Sequence, residues 1–251
     1  MGIVQGLIGS LKAGVAYDSD AQAYFTAASI TDGTQKDAWN TFVVSAKANG
    51  YYSKLLAAYP FLGGTASSHS YNAINPATFQ ITWSGSLSHN SNGVNQSVNG
   101  TGDTGFGNTS GWTSTSASFG CYLRTGITTD KIPIGDGNST YIYGNSGTSV
   151  NFTLQAATLN ATITSTRLLV VTDTGTLATA YRDGTSVGSS STSHTPSIFN
   201  NLNLMSYGLS PFYYYAGTMS FAFIGLTMTG TDVTNFNTNM NTYQTSLGRA
   251  L

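Results

Sequence analysis

The chain ends in an apolar strand followed by an amphipathic helix. The helix carries large apolar side chains spaced by three and four residues, which places them on one face: Val233, Phe236, Met240, Tyr243 and Leu247. Thr231 or Asp232 is predicted to cap its start, and Gly248 is predicted to end it. Such a helix needs an apolar surface to cover, which constrains the chain to a layered fold.

The surface for that helix is predicted to be a sheet. Met219, Phe221 and Phe223 alternate with Ser220, Ala222 and Ile224, as in a strand with at least one packed face. Further short β-like runs cover residues 78–83, 117–125, 140–144, 149–156, 161–165, 167–173, 176–182 and 219–224. The dipeptide Asp183-Gly184 predicts a type I′ hairpin turn after the seventh run. Many short strands at this spacing indicate a β-sandwich or a barrel.

Residues 18–59 are predicted to be helical. Asp18, Ser19 or Asp20 can cap a helix through residue 28, and residues 31–34 offer caps for a second helix. The second helix carries an apolar stripe of Trp39, Phe42, Val43 and Ala46. A third short helix is expected over residues 52–59, stopping at Pro60. By contrast, the polar stretch from His89 to Ser116 is predicted to be a long loop or an irregular face.

The charge content excludes several functions. Only 8% of the residues are charged, against about 25% in an ordinary soluble domain. The net charge is −1 and the basic residues are scattered, so nucleic-acid binding is not expected. All ten acidic residues are aspartates. Glycoside hydrolysis needs two carboxylates that converge on the scissile bond, and in this chain only aspartates could supply them. A polysaccharide-cleaving enzyme is therefore the third hypothesis rather than the first.

The N-terminus is predicted to be an attachment or oligomerisation segment. An equally acceptable interpretation is that it packs on its own domain, and a third is that it forms a helix on a membrane surface. The apolar residues recur at helical spacing: Ile3, Val4, Leu7, Ile8 and Leu11. Since the segment lacks a basic leader and no 18-residue apolar run follows, we expect assembly in a cytoplasm and no membrane span. Cys121 stands alone within a strand-like run and is predicted to be buried.

Several motifs are expected to be coincidental. Gly100, Gly102 and Gly105 match a dinucleotide fingerprint, but no helix is predicted after them. The string from Gly184 to Gly188 matches a hydrolase elbow but lies on a hairpin.

Metal binding is not expected either. His69, His89 and His194 are far apart in sequence and are predicted to be ordinary loop residues. Asp103, Asp130 and Asp136 could ligate calcium or could be solvated turn residues. We expect no metal and no cofactor.

Aromatic residues are the candidates for ligand contact. Trp112 and the run Tyr213, Tyr214 and Tyr215 could stack on sugar rings, while neighbouring Asn and Asp side chains bond the hydroxyls. The alternative is that these aromatics fill the core or a subunit interface. The two interpretations differ in whether the rings line an open groove or are buried.

The closing half of the chain resembles a laminin G-like, concanavalin A-like jelly roll, through Tyr181-Arg182-Asp183-Gly184, Ala216-Gly217-Thr218-Met219 and Phe221-Ala222-Phe223-Ile224-Gly225. Over about residues 18–249 the chain is similar to a family of bacteriophage structural proteins that carry this jelly roll behind a helical segment. The strings that carry this likeness are Gln22-Ala23-Tyr24-Phe25, Ile30-Thr31-Asp32, Tyr59-Pro60-Phe61-Leu62-Gly63-Gly64-Thr65-Ala66, Phe221-Ala222-Phe223-Ile224-Gly225 and Tyr243-Gln244-Thr245-Ser246-Leu247-Gly248-Arg249.

This resemblance implies a non-enzymatic virion component, such as a fibre, decoration or tail-associated protein. The predicted organisation is an attachment segment (residues 1–17), a helical segment (18–62) and a jelly-roll β-sandwich closed by a C-terminal helix (63–251). The expected partners are other virion proteins and sister subunits in a homo-oligomer. The alternative is a lectin-like module that binds a host-surface glycan, and one molecule could have both roles.

Overall fold

A computed structural model describes residues 16–107, 110–112, 116–127, 130–146, 149–154, 157–162, 167–191, 200–207 and 213–250. The predicted attachment residues Ile3, Val4, Leu7, Ile8 and Leu11 lie outside this part of the chain. The helices are α1 (Ser19–Ala27), α2 (Gly33–Ala48), α3 (Ala66–His69) and α4 (Gly230–Ser246), with a 3-10 turn at Tyr52–Lys54. The strands are β1 (Leu55–Tyr59), β2 (Thr82–Asn90), β3 (Gly93–Asp103), β4 (Ala117–Leu123), β5 (Lys131–Gly135), β6 (Thr140–Ser146), β7 (Ser149–Leu154), β8 (Ala157–Thr162), β9 (Leu168–Asp173), β10 (Ala178–Arg182), β11 (Thr185–Ser190), β12 (Asn203–Leu204) and β13 (Gly217–Gly225).

The strands form a β-sandwich of the jelly-roll kind. Within the described residues they follow one hydrogen-bonded path, β11-β10-β9-β4-β13-β3-β12-β5-β6-β7-β8, with β1 on β13 and β2 on β3. These neighbouring strands pair in the antiparallel direction, as a jelly roll requires. The path curls back so that β8 contacts β11 from the opposite end. The predicted mainly β sandwich with a C-terminal helix is therefore confirmed.

Two apolar cores lie on opposite faces of β4, β9 and β13. The first fills the sandwich and includes Phe119 and Cys121 of β4 and Phe152 of β7. The second lies under the helices, where Phe221 of β13 packs beside Trp39 of α2. Strands buried on both faces carry near-continuous apolar runs, which explains Leu168–Asp173. The molecule is thus three layers: helices, sheet and sheet.

The helices begin and end largely where the side chains predict. Asp18 caps α1, and Asp32 caps α2 by accepting a bond from the Gln35 N–H. For α4 the prediction of Thr231 or Asp232 as the cap is wrong. Thr229 is the cap, and Asp232 completes a capping box with it. The α4 face predicted to be apolar is buried through Val233, Phe236, Met240 and Tyr243.

The third predicted helix, residues 52–59, is wrong. Only Tyr52–Lys54 turns as a 3-10 helix, and Leu55–Tyr59 is a strand paired with β13. Ala57 and Tyr59 face the sandwich core, whereas Leu55 and Ala58 face the helices. Burial on both faces gives an apolar run without alternation, which periodicity cannot separate from a short buried helix.

Part of the polar stretch from His89 to Ser116, predicted to be a long loop or an irregular face, is instead a strand, whereas residues 104–107 and 110–112 lie outside the strands. Gly93–Asp103 forms β3, which pairs with β2, β12 and β13. Its glycines are needed because β2 side chains cover them. A Cβ on Gly100 would lie 2.6 Å from Leu87, and one on Gly102 would lie 2.4 Å from Trp83. A strand covered in this way carries few apolar residues of its own, so pattern reasoning missed it.

The remaining strand predictions differ mainly at their ends. Residues 78–83 overlap only the start of β2. Of the predicted strand 161–165, residues 161–162 belong to β8 and the remainder lies outside the described residues. The Asp183-Gly184 hairpin is confirmed, since both residues have positive φ (48° and 79°) between paired Arg182 and Thr185. Cys121 is fully buried, as predicted. Within the described residues, no helix combines the length and apolar character that crossing a bilayer requires.

Candidate functional site

Four tyrosines form a closed ring of edge-on contacts at one end of the sandwich. Tyr141 contacts Tyr143 and Tyr207, and Tyr213 contacts the same two rings. The ring centroids are 5.3 to 6.3 Å apart and the planes cross at 82° to 89°. This is the edge-to-face geometry that aromatic pairs prefer. We call Tyr141, Tyr143, Tyr207 and Tyr213 the tyrosine cluster.

The backbone brings these four residues together from distant parts of the chain. Tyr141 and Tyr143 alternate around buried Ile142 on β6, so both side chains lie on the same face. Tyr207 and Tyr213 are joined by a bond from the Tyr207 N–H to the Tyr213 carbonyl (2.8 Å). Gly135 on β5 leaves the space between the two pairs, because a Cβ there would lie 3.1 Å from both Tyr141 and Tyr207.

A polar cleft adjoins the tyrosine cluster. Its volume is about 580 Å³, and its lining residues are Asp103, Gly137, Asn200, Asn201, Asn203, Tyr207 and Tyr213. We call this the amide cleft. A second depression of about 230 Å³ is lined by Ile132 and the four tyrosines. Because Tyr207 and Tyr213 line both, the two depressions form one continuous surface with a polar half and an aromatic half.

The polar side chains of the amide cleft are held by the protein. Asn201 Nδ2 donates to Asp103 Oδ2 (3.2 Å), and Asn200 Nδ2 donates to the Asp136 carbonyl (3.1 Å). Asn203 Nδ2 donates to the Asn201 carbonyl (2.7 Å). A carboxamide has two N–H groups and two lone pairs, so each of these amides retains hydrogen-bonding capacity for a ligand.

Two hydroxyls of the cluster, those of Tyr143 and Tyr207, are kept in their neutral form. The Tyr143 hydroxyl donates to Asp130, which raises the pKa of Tyr143 to about 12. Burial raises the pKa of Tyr207, and nearby Tyr141 and Asp136 raise it further. The Tyr207 hydroxyl donates to the Asn138 carbonyl. Tyr143 and Tyr207 are therefore uncharged at neutral pH, and each is held both at its ring edge and at its hydroxyl.

Of the four aromatics predicted to contact a glycan, the structure places only Tyr213 in this surface, where it is 41% exposed. Trp112 packs beside Phe106 and Phe119, and its Nε1 donates to the Gly225 carbonyl (2.8 Å). Tyr214 lies under the Lys131 ammonium, 4.2 Å from the ring centroid.

Tyr215 is fully buried, and its hydroxyl bonds to Thr125. Its ring is therefore shielded from solvent, in contrast to the exposed ring of Tyr213. Tyr213 and Tyr215 are two residues apart, but the chain between them is an isolated bridge rather than a regular strand.

The three aspartates considered as calcium ligands have separate roles. Asp103 lines the amide cleft, and Asp130 accepts the Tyr143 hydroxyl. Asp136 is fully buried, and its Oδ1 accepts the N–H groups of Asn138, Ser139 and Thr140. Within the described part of the chain, no three His, Cys or Asp side chains converge in a way that could hold a metal ion.

Two of the histidines predicted to be separate loop residues are in contact. His69 Nδ1 lies 3.1 Å from His89 Nδ1. Burial, together with the charges of His89 and Arg249, lowers the pKa of His69 to about 3. The separation of twenty residues in sequence gave no indication of this pairing, which depends on α3 packing against β2. His194 lies outside the described residues.

The sequence contained a signal for half of the tyrosine cluster that the prediction did not use. Tyr141 and Tyr143 flank an apolar residue in a predicted strand, which places both rings on the surface face. Tyr207, Asn200, Asn201 and Asn203 carry no comparable signal. They join the site only because the short strand β12 lies between β3 and β5.

No protein-family model and no curated protein sequence matches the chain. Solved structures do resemble it in fold. Domain 4 of AbnA, a GH43 extracellular arabinanase from Geobacillus stearothermophilus solved in complex with arabinotriose, superposes with a TM-score of 0.55 at 11% identity, covering 73% of this chain and 98% of that domain.

The binding domain of botulinum neurotoxin serotype G superposes with a TM-score of 0.51 at 9% identity, covering 74% of this chain and 51% of that domain. This chain therefore spans about half of the neurotoxin binding domain. At these identities the likeness establishes a shared fold and nothing further.

Proposed function

We propose that the chain is a lectin-like module that binds a glycan without cleaving it. The observation that carries the proposal is the continuous surface formed by the tyrosine cluster and the amide cleft. Sugars present apolar C–H faces together with many hydroxyls. Aromatic rings complement the former, and amide and carboxylate groups complement the latter.

The dimensions and chemistry of the surface support this class of ligand. The amide cleft, at about 580 Å³, lies within the range of about 300 to 1,000 Å³ typical of small-ligand sites. Tyr213 offers an exposed ring at the boundary between the polar and aromatic halves. The domain that shares this fold in the arabinanase was solved with arabinotriose, which is consistent with a saccharide ligand here.

The carboxylates support binding rather than hydrolysis. Glycoside hydrolysis uses two carboxyl groups facing the same bond. Among the described residues that line the amide cleft, Asp103 is the sole carboxylate. Asp136 lies behind the cleft with its Oδ1 bonded to three main-chain N–H groups. We therefore propose a non-catalytic role.

A glycan array probed with the purified chain tests the proposal, followed by calorimetry on the best ligand. Tyr213→Ala is expected to weaken binding by about tenfold, since central aromatic contacts contribute more than about 1 kcal/mol. The matched control is Tyr214→Ala, which removes a neighbouring ring that lies outside the cleft and should bind normally. The absence of binding to any glycan, or equal loss in both variants, would contradict the proposed site.

We also propose that this module is carried on a bacteriophage particle, as a structural component that contacts other virion proteins and sister subunits. The support is the resemblance to phage structural proteins, together with the packing of two strings that carry it. Arg249, in the C-terminal one of these segments, donates to the carbonyls of Pro60 and Phe61, which lie in the segment from Tyr59 to Ala66. The low charge content also suits large protein contacts, because burying an unpaired charge is costly.

Deletion of Met1 to Leu11 tests this second proposal. The truncated chain should fold and bind the same glycans but fail to incorporate into particles or to form the full-length oligomer. Light scattering and immunolabelling of particles from an infected lysate are the measurements. A truncated chain that assembles normally would contradict an attachment role for this segment, and a full-length chain absent from particles would contradict the virion proposal.

A further inference from the structure

Among the described residues, the charged side chain that lines the amide cleft and the charged side chains of the residues that bond the lining of the two depressions belong to aspartates. Asp103 lines the cleft, Asp136 lies directly behind it, and Asp130 stands at the far end of the tyrosine cluster. Among the described residues that line either depression there is no Lys or Arg. The nearest cation in sequence to that lining is Lys131, whose ammonium lies over the Tyr214 ring.

From this distribution we infer that the site is selective for uncharged oligosaccharides and discriminates against sialylated, uronic or sulfated ones. This inference rests on the proposed glycan-binding function and adds the chemical class of the ligand. Asp103 is the residue that sets the selectivity.

Asp103 suits a neutral sugar because it is fixed and partly accessible. Its Oδ1 accepts the Gly105 N–H (2.9 Å), and its Oδ2 accepts the Asn201 amide (3.2 Å). Each carboxylate oxygen has a further lone pair for a sugar hydroxyl, and hydrogen bonds to an ionised acceptor are stronger than neutral ones. The same charge in a partly enclosed cleft repels a ligand carboxylate or sulfate, since the reduced dielectric strengthens the repulsion.

The charge field of the cleft extends to the tyrosines. The negative charge of Asp136 contributes to the raised pKa of Tyr207, after burial and the effect of Tyr141. A carboxylate also lies beside the aromatic half, since Asp130 accepts the Tyr143 hydroxyl.

The length of the surface implies more than one sugar unit. The polar depression of about 580 Å³ and the aromatic depression of about 230 Å³ share Tyr207 and Tyr213 but have otherwise separate linings. A monosaccharide can occupy one half only. A chain of two or more units can bond its hydroxyls to Asn201 and Asp103 while a neighbouring unit contacts Tyr141 or Tyr143.

The experiment compares matched glycans that differ only in charge. Neutral oligosaccharides and the same oligosaccharides capped with sialic acid or carrying sulfate are printed together, and the affinities of the best pair are measured by calorimetry. We expect the acidic member to bind at least about tenfold more weakly, which corresponds to about 1.4 kcal/mol. The difference should shrink as salt is raised, because salt screens the repulsion.

Two variants assign the selectivity to Asp103. Asp103→Asn keeps the shape and an acceptor for the Gly105 N–H, so it should fold and should reduce the neutral-to-acidic ratio by severalfold. The control is Asp37→Asn, which removes one negative charge at an exposed position of α2. It should leave the neutral-to-acidic affinity ratio unchanged. Circular dichroism of both variants checks the fold.

The outcomes separate the two proposals. Preference for the acidic members, or a ratio that Asp103→Asn leaves unchanged, would overturn this inference while leaving glycan binding intact. Binding to none of the printed glycans would instead overturn the proposed function itself.

Discussion

The guanidinium of Arg249 donates from Nη2 to the carbonyl oxygen of Phe61 at 2.8 Å, deep between the helices and the sheet. Nη1 bonds the Pro60 carbonyl (3.2 Å), and Nε bonds the Ser91 carbonyl (2.6 Å). Arg249 is 1% exposed, and its hydrogen bonds are to main-chain carbonyls. One side chain thus ties the end of α4 to the segment after β1 and to the turn between β2 and β3.

Replacing Arg249 with Met should destabilise the fold by about 2 to 4 kcal/mol, because it leaves several buried carbonyls without a donor. Chemical denaturation measures the free energy of unfolding. Arg249→Lys should recover little of the loss, since a single ammonium cannot reproduce the planar fork of donors. The control is Arg182→Met on half-exposed β10. A loss of similar size in the control would contradict a specific role for Arg249.

The start of α4 should depend on Asp232. Its Oδ2 accepts the Thr229 N–H and hydroxyl (both 2.7 Å) and the Lys54 ammonium (2.6 Å). Asp232→Ala should cost about 1 to 3 kcal/mol, since it removes a helix cap and leaves polar groups unpaired. The matched control is Asp20→Ala, which breaks a surface ion pair with Lys47 and should cost less than about 1 kcal/mol. Equal costs would contradict this assignment.

The Asp232 contribution should disappear in acid. Burial alone would raise the pKa of Asp232, but the bonds from Lys54 and Thr229 outweigh it and hold this pKa below its usual range. A lowered folded pKa means that the stabilisation is present above the unfolded value of about 4 and is lost as the pH falls through the folded value. Denaturation at a series of pH values should therefore show wild type and Asp232→Ala converging below about pH 4.

His69 should make the protein acid-sensitive over a different range. Its pKa is lowered to about 3, mainly by burial and further by His89 and Arg249. Below about pH 6.5 the unfolded chain takes up a proton at this site and the folded chain does not, so stability falls by at most about 1.4 kcal/mol per pH unit.

His69→Gln should flatten the dependence of unfolding free energy on pH between about 6.5 and 4. The measurement is chemical denaturation of wild type and variant across this range. NMR titration of the His69 ring gives a direct check, since the ring should remain neutral throughout. An unchanged slope in His69→Gln would show that the acid sensitivity arises elsewhere.

The arrangement of the four rings in the tyrosine cluster should depend on Gly135. Gly135→Val places a branched side chain about where Tyr141 and Tyr207 now approach, so it should separate the rings and weaken glycan binding by about tenfold, with a stability cost of about 1 to 3 kcal/mol. Gly33→Ala is the control, because a Cβ there meets nothing within 4 Å. Near-ultraviolet circular dichroism reports the rings. Unchanged binding in a folded Gly135→Val protein would contradict the role of the cluster.

Sequence reasoning succeeded where a single residue or the spacing of apolar residues determines a structural feature. Asp18 and Asp32 cap their helices because a short acceptor side chain can reach an N–H two or three residues ahead. Asp183 and Gly184 form their turn because both tolerate positive φ. The strand at Ala117–Leu123 and the apolar face of α4 follow from residue type and spacing.

Sequence reasoning failed where the neighbour, rather than the residue, determines the structure. Leu55–Tyr59 is a strand because β13 offers it an edge, and Gly93–Asp103 is a strand because Trp83 and Leu87 cover its glycines. For the site, the sequence indicated the exposed Tyr213 but could not separate it from Trp112 or Tyr215, because exposure depends on what packs above each ring.

The sequence by itself therefore determined the β-sandwich, the helices that cover it, and the reliance on aromatic and amide side chains at a weakly charged surface. Only the tertiary structure decided which of these side chains meet. Tyr141 and Tyr207 are sixty-six positions apart, and Asp103 and Asn201 are ninety-eight apart. Contacts at such separations depend on strand order, which arises from the simultaneous burial of two cores and not from any local pattern.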